Sequence, residues 1–276
     1  MKLTKINADS VLVKSKLPAS DYVANPYTGC THDCKYCYAS FMKRFTGHSE
    51  DWGTFVDIKE YSSTKLPKNL ENKTVLLSSV TDPYQGIEGN FHKSREILKL
   101  LGNTGANVEI LTKSDLVIKD IDVFKDMKNL KVGISLCTLD DGFRKIIEPN
   151  APSVQRRLNA LESLHMNGIS TYLFISPIFP YITDISAIVR AAGGIADKIC
   201  FENLNLRGKT KTLVLDLIKQ YYPQYYEEYK NIYLKKDNLY WENLEKEIEI
   251  MSETSKIPFV NYFYHSKIKK GGKKND

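Results

Sequence analysis

No apolar run in this chain approaches the ~20 residues a helix needs to cross a bilayer. The opening segment "MKLTKINADSVLVKSKL" also has none of the apolar core that a signal peptide carries. Both absences lead to the expectation of a soluble, cytoplasmic protein. No solenoid-type repeat recurs and no low-complexity linker divides the chain. Cysteine is scarce, with five in 276 residues. An odd number, three of them packed together, does not make a disulfide framework and points to metal or redox duty in a reducing compartment. Excess charge is scarce too once it is located. The formal net charge is +6, but Lys267 to Asp276 holds five lysines and one aspartate, so the other 266 residues carry only +2. Residues 267–276, around Gly271 and Gly272, read as a solvated, disordered lysine tail. Composition by itself names no nucleic-acid partner.

What is present is an ordinary apolar fraction of 42%, enough for a sizeable core. Apolar runs rich in β-branched residues alternate with amphipathic ones. "DYVAN" (Asp21 to Asn25), "TVLLSSV" (Thr74 to Val80), "NVEILTK" (Asn107 to Lys113), "KVGISLC" (Lys131 to Cys137), "STYLFISPI" (Ser170 to Ile178) and "KICFENLNL" (Lys198 to Leu206) read as buried parallel strands. Helical patterns fill Lys93 to Leu101, Ser114 to Met127, Ser153 to Met166 and Asp184 to Ala196, with Ser153 as a cap and Asn167-Gly168 as a stop. Strand and helix alternating in this way predict an α/β fold, a partial (β/α)6 TIM-type barrel over residues 1–206. A charged, tyrosine-rich helical extension packed on the barrel would follow over 207–266, with "IPFVNYFYH" as an edge strand.

In such folds chemistry gathers where strands end. Cys30, Cys34 and Cys37, spaced C-x₃-C-x₂-C, follow the first strand; Ser79, Thr81 and Asp82 follow the second; Lys113 closes the third; Ser135 lies in the fourth and Pro177 in the fifth. Thiolates are soft ligands for zinc, copper(I) or iron–sulfur clusters. Three in one tight loop can hold three corners of a tetrahedral site or of a cubane and leave one open, the mark of a reactive site, since structural zinc sites are closed. A zinc site completed by His32 or His48 is the alternative, and with it a non-catalytic, zinc-binding interaction module. Packing cysteines fit poorly, because "GCTHDCKYC" is too polar for a core.

C-x₃-C-x₂-C with an aromatic, Tyr36, before its last cysteine resembles the radical SAM enzymes. The chain from about Tyr22 to Asp184 resembles their spore photoproduct lyase-like branch, through "NPYTGCTHDCKYCYA", "TDPYQGIE", "ILTKS", "VGISLCTLDD", "EPNAPSVQRRLNAL" and "ISPIFPYITD". The resemblance implies that Cys30, Cys34 and Cys37 hold three irons of a 4Fe–4S cluster whose fourth iron binds S-adenosyl-L-methionine. One electron from a donor such as flavodoxin or ferredoxin would then release a 5′-deoxyadenosyl radical that abstracts hydrogen from a substrate. Nucleic acid is the class the family suggests, and a peptide or protein side chain is the alternative. Lys113 is expected to pair with the methionyl carboxylate. Thr81 and Ser135 match positions that contact the cofactor, or they bond backbone instead. Tyr36 and Tyr38 shield the cluster or flank the adenine, or simply pack.

One departure stands out. Spore photoproduct lyases carry a thiol that returns a hydrogen atom to the product, and here Ser79 occupies that place in "SSVTD". A serine O–H is too strong to take over, so the exact reaction, lyase or transferase in type, stays open. Cys137 and Cys200 read as buried, Arg157 beside Arg156 as a solvated helix face, and Tyr222, Tyr226, Tyr229 and Tyr233 as a stripe packed on its own domain.

Overall fold

The structure is a computed structural model that describes residues 1–263. The expected lysine tail lies outside the described residues. The strands are β1 (Lys2–Ala8), β2 (Val13–Lys14), β3 (Tyr22–Ala24), β4 (Tyr27–Thr28), β5 (Phe55–Tyr61), β6 (Thr74–Leu77), β7 (Asn107–Thr112), β8 (Leu130–Ser135), β9 (Ser170–Ile178), β10 (Ile199–Asn203) and β11 (Phe259–Asn261). Eight of them form one sheet in the order β11-β10-β9-β8-β7-β6-β3-β2. Every neighbouring pair is parallel except β2 with β3. The six strands read from sequence are thus laid side by side in chain order, which is the partial barrel. The last apolar run adds β11 at the far edge, parallel to β10.

The two faces of the strands differ. Along β7 burial alternates, with Val108 and Ile110 in the core and Glu109 and Leu111 half-buried on the other side. Helices Lys93–Leu101 and Val154–Met166 cover the core side with Ile97, Leu98, Leu161 and Leu164. Ser153 caps the second of these through the Arg156 amide, and Gly168 ends it at φ +76°. Tyr172 on β9 lies against Gly133 on β8 so closely that a Cβ there would sit 2.2 Å from the ring. Its hydroxyl donates to the Ile110 carbonyl at 3.0 Å. This aromatic plugs the inner face, and polar groups are left to collect towards the strand ends.

Three readings need correction or completion. The pattern over Ser114 to Met127 splits into a 3₁₀ turn, Asp115–Asp120, and a short helix, Ile121–Lys125. The extension is helical but interrupted at Pro223, whose ring and missing N–H break it into Gly208–Tyr221 and Tyr226–Tyr233. A second sheet, β1-β5-β4, had gone unread. It matters for the site because β4 leads straight into the cysteine loop.

The C-terminal helices share the main core through Val214, Ile218, Tyr229, Trp241, Leu244 and Ile248. The tyrosine stripe packs as expected. Tyr229 is fully buried and donates to the Pro180 carbonyl, Tyr233 donates to the Leu204 carbonyl, and Tyr222 meets Phe143 edge-on. A cavity of about 380 Å³ between Tyr181, Glu228, Asp237 and Tyr240 belongs to these helices and not to the thiol loop.

Candidate active site

The cysteine loop begins with a close backbone approach. Gly29 has φ +94°, and a Cβ on it would fall 2.3 Å from the Phe55 carbonyl of β5. Only glycine fits there. Beyond it, the three thiols come near enough for Cys30 and Cys37 each to raise the Cys34 thiol electrostatically, and for Cys37 to raise Cys30. Burial is the larger cause in all three, and it pushes Cys30 up to about 12. Lys113 is the cation that opposes this at Cys34 and Cys37. Thiols held this far from ionisation become ligands only when a metal supplies the missing positive charge.

The loop is gripped from both sides. Gln85, fully buried, accepts from the Thr31 amide at 2.8 Å and donates to the Gly29 carbonyl at 3.2 Å, so it holds the backbone on each side of Cys30. It also donates to the Thr81 hydroxyl at 2.9 Å, and that hydroxyl donates to Gly29 as well. From the other side the Lys35 amide donates to the Ile147 carbonyl, and Asn150 donates to the carbonyls of Thr31 and His32. Gln85→Leu would leave the Thr31 amide unpaired, at about 1–3 kcal/mol, while the Gly29 carbonyl keeps the Thr81 hydroxyl. We expect a loss of about 1–3 kcal/mol in urea denaturation and poorer iron retention after anaerobic reconstitution. Wild-type values for both would refute the clamp.

Asp82 ties this loop to the third strand end. One oxygen accepts from the Tyr84 amide and the Thr112 hydroxyl, and the other from the Lys113 amide at 2.8 Å. His32 Nε2 lies 3.1 Å from the same carboxylate. Burial works to raise Asp82, but the ring, the hydroxyl and the amide outweigh it and bring the carboxyl down to about 2. Asp82 therefore organises the "TDPYQ" turn, as its sequence suggests.

Beside the thiols lies a group that sequence reasoning missed. Glu148 is fully buried, accepts from the Tyr36 hydroxyl and from Arg157, and lies 4.0 Å from Lys113 Nζ. Arg157, read as a solvated face, is fully buried and also donates to the Ser135 and Pro152 carbonyls. Cys137 is buried against Glu148 as well. The charge order is thus Cys34, Lys113, Glu148, Arg157, alternating in sign once the thiol ionises.

Of the expected cofactor contacts, Lys113 and Tyr36 reach this network, and the Lys113 ammonium also lies 5.8 Å from the Tyr36 ring centre. Thr81 and Ser135 spend their hydroxyls on backbone, Ser135 on the Ser176 carbonyl at 3.1 Å. Tyr38 stays 66% exposed and leans across to the Ser79 carbonyl. Just before Ser79, Ser78 leaves β6 at φ +69° with a buried hydroxyl that has no partner. A left-handed serine with an orphaned hydroxyl at a strand exit is a strained position of the kind that serves ligands. No motif letter had marked it.

The histidines that would close a zinc site are turned elsewhere. His32 faces Asp82, and His48 lies between Asp57 at 2.7 Å and Glu50 at 3.1 Å. Among the described residues no three His, Cys, Asp or Glu side chains gather tightly enough for a single ion. A cubane spaces its sulfurs more widely than one ion does.

The family model of the Radical SAM superfamily matches residues 24–190. An uncharacterized protein of Methanocaldococcus jannaschii is 37% identical over 235 residues, 84% of this chain and 88% of that one. A radical SAM Nα-GlyT isomerase of Pseudomonas phage M6 is 26% identical over 161 residues, 58% of this chain and 34% of the isomerase. Among solved structures, spore photoproduct lyase with dinucleoside spore photoproduct has a similar fold, with a TM-score of 0.59 at 18% identity; 80% of this chain covers 66% of the lyase. SuiB of Streptococcus suis, solved with S-adenosylmethionine, gives 0.53 at 15% identity over 87% of this chain and 49% of its own, so this chain spans about half of it. On the family match the chain belongs to the radical SAM superfamily, and membership implies S-adenosylmethionine, an iron–sulfur cluster and a radical mechanism.

Proposed function

We propose that Cys30, Cys34 and Cys37 hold a 4Fe–4S cluster and that the chain cleaves S-adenosylmethionine reductively to abstract hydrogen from a substrate. The observation that supports this reading is the meeting of three thiols in one loop, with Cys30, Cys37 and the Lys113 ammonium all close enough to act on Cys34. The donor set fits: it is three soft sulfurs with no fourth cysteine in the loop, while His48 is hydrogen-bonded to Asp57 and Glu50 and His32 lies 3.1 Å from Asp82. When bound, cluster and sulfonium supply one electron and a 5′-deoxyadenosyl radical.

The chain's own residues bind and orient. Lys113 offers its ammonium to the methionyl carboxylate, held in place by Glu148 on one side and by Asp82 through its amide. Ser78 offers the unspent hydroxyl at the exit of β6. Tyr38 covers the mouth, and Tyr36, tied to Glu148, shields its inner wall. Nucleic acid is the substrate class supported by the dinucleoside bound to the structurally similar lyase. Ser79 offers no hydrogen atom to a product radical, and Cys137 is fully buried with its thiol hydrogen-bonded to Glu148.

Reconstituted protein given dithionite and S-adenosylmethionine is expected to release 5′-deoxyadenosine, detected by mass spectrometry. None, even with oligonucleotides present, would overturn the reading. Lys113→Ala should keep its iron but bind S-adenosylmethionine roughly tenfold to hundredfold more weakly, the worth of one charged hydrogen bond. Unchanged binding would reject the contact.

A further inference from the structure

The cavity of about 380 Å³ lies where the C-terminal helices meet the exit of β9. That volume is in the small-molecule range, and two of its lining side chains, Ile232 and Leu244, are buried and apolar. Tyr181, just beyond β9, forms one wall. It holds φ +63°, a conformation rare for a bulky residue, and its amide donates to the Tyr240 hydroxyl at 3.3 Å. The Tyr181 ring stacks on Tyr225 with centres 5.6 Å apart and tilts against Tyr240 at 4.8 Å. A strained backbone thus fixes an aromatic wall, as it does in ligand clamps. The charge on the lining has one sign. Glu228, Asp237 and Glu247 are acidic, and none of the described lining residues is basic. Burial raises the Tyr181 hydroxyl above its ordinary value, and Glu228 and then Asp237 raise it further, so both carboxylates lie close to that ring. Glu228 Oε2 is buried and has no hydrogen-bond partner among the described residues, whereas Glu227 beside it pairs with Lys230 at 2.7 Å. A carboxylate oxygen out of water and without a donor is destabilising until a cation reaches it.

We propose that this cavity binds a small organic cation with a primary ammonium group, of the diamine or polyamine class. The ammonium donates to Glu228 Oε2 and lies against the rings of Tyr181 and Tyr240. The methylene chain covers Ile232 and Leu244, and a second ammonium meets Asp237 or Glu247 at the exposed rim. Each feature of the lining then has a use. A divalent metal ion fits worse, because it needs six or more oxygens drawn closely together. Among the described residues no three acidic, histidine or cysteine side chains gather in that way. Two rings and an aliphatic floor also give a bare ion nothing. A lysine side chain of a protein carries the same head group, but it would fill only part of the cavity, which suits a whole small molecule.

The experiment titrates the full-length protein with spermidine by calorimetry, with octanediol as the neutral chain and magnesium chloride as the metal. Glu228→Gln keeps the shape of the side chain and removes its charge, and Tyr181→Leu removes the ring. Glu253→Gln is the control, an exposed carboxylate on the last helix, Leu239–Thr254, that does not line the cavity. Wild type is expected to bind spermidine and not octanediol. Glu228→Gln should weaken spermidine about tenfold or more, and Tyr181→Leu about threefold or more, while Glu253→Gln binds like wild type. Spermidine should also raise the thermal midpoint of wild type and of Glu253→Gln more than that of Glu228→Gln, and the same melts show that each variant is folded. No binding of spermidine to wild type overturns the site. So does binding retained in both Glu228→Gln and Tyr181→Leu, or weakened equally in Glu253→Gln, which would be diffuse surface charge. Magnesium that displaces spermidine at matched ionic strength, and loses its own binding in Glu228→Gln, would make this a metal site and overturn the proposal as well.

Discussion

Cys34→Ala is expected to leave the protein folded, colourless and without 5′-deoxyadenosine formation. Two thiolates cannot hold a cube that three hold, and no neighbour can stand in. Cys137 is buried against Glu148, and Cys200 is buried on β10 among groups of the plugged inner face. His48 is held between two carboxylates, and His32 is buried against Asp82 at 3.1 Å. The fold should survive because the loop's grip is backbone: Gln85, Asn150 and Ile147 hold Gly29, Thr31, His32 and Lys35, not the Cys34 side chain. We expect the apo-protein's unfolding free energy to change by no more than about 1 kcal/mol. Iron and sulfide after reconstitution should fall to background. Stoichiometric zinc without sulfide in the wild type would sink the cluster assignment outright.

How much of this was legible beforehand depended on whether a signal was local. β8 and β9 were readable as nearly continuous apolar runs buried on both faces, and β6 and β7 as short β-branched runs with one face fully in the core. The thiol spacing was readable because ligand and motif lie in eight residues. β1 was not, because "KLTKINA" is an exposed edge whose sheet partner, β5, begins at Phe55. Arg157 was misread because it stands beside Arg156, and charge pairs on helices are usually solvated. Periodicity separates the two. Arg157 falls in the buried row with Val154, Ala160, Leu161 and Leu164, while Arg156 turns outward to Asp115 at 2.8 Å. An arginine in an apolar row needs a buried anion, and that question would have led to Glu148. Nothing near Glu148 in "EPNAP" gives it away, since its partners come from residues 36, 113 and 157.

That pair sets the second large effect. With both side chains fully buried, removing one partner strands the other. Arg157→Met is expected to cost about 3–5 kcal/mol at neutral pH, measured by urea denaturation. The pH dependence follows from the carboxylate. Burial alone would raise Glu148, but Arg157 first, then Lys113 and the hydrogen bonds from Tyr36 and Arg157, hold it below its ordinary value. A lowered carboxyl contributes stability that is present above the unfolded pKa and is lost as pH falls through the folded one. The wild type should therefore weaken on acidification below the usual glutamate range. In Arg157→Met burial gains the upper hand and Glu148 rises, so the deficit should be largest at neutral pH and shrink as the medium is acidified. A deficit independent of pH would place the cost in packing alone. The double variant Glu148→Leu, Arg157→Met should recover most of the stability, since a well-packed apolar pair replaces a buried ion pair at little cost. It should not recover S-adenosylmethionine binding, because Lys113 has then lost the carboxylate that aims it. If binding returns together with stability, Glu148 serves the fold and not the site.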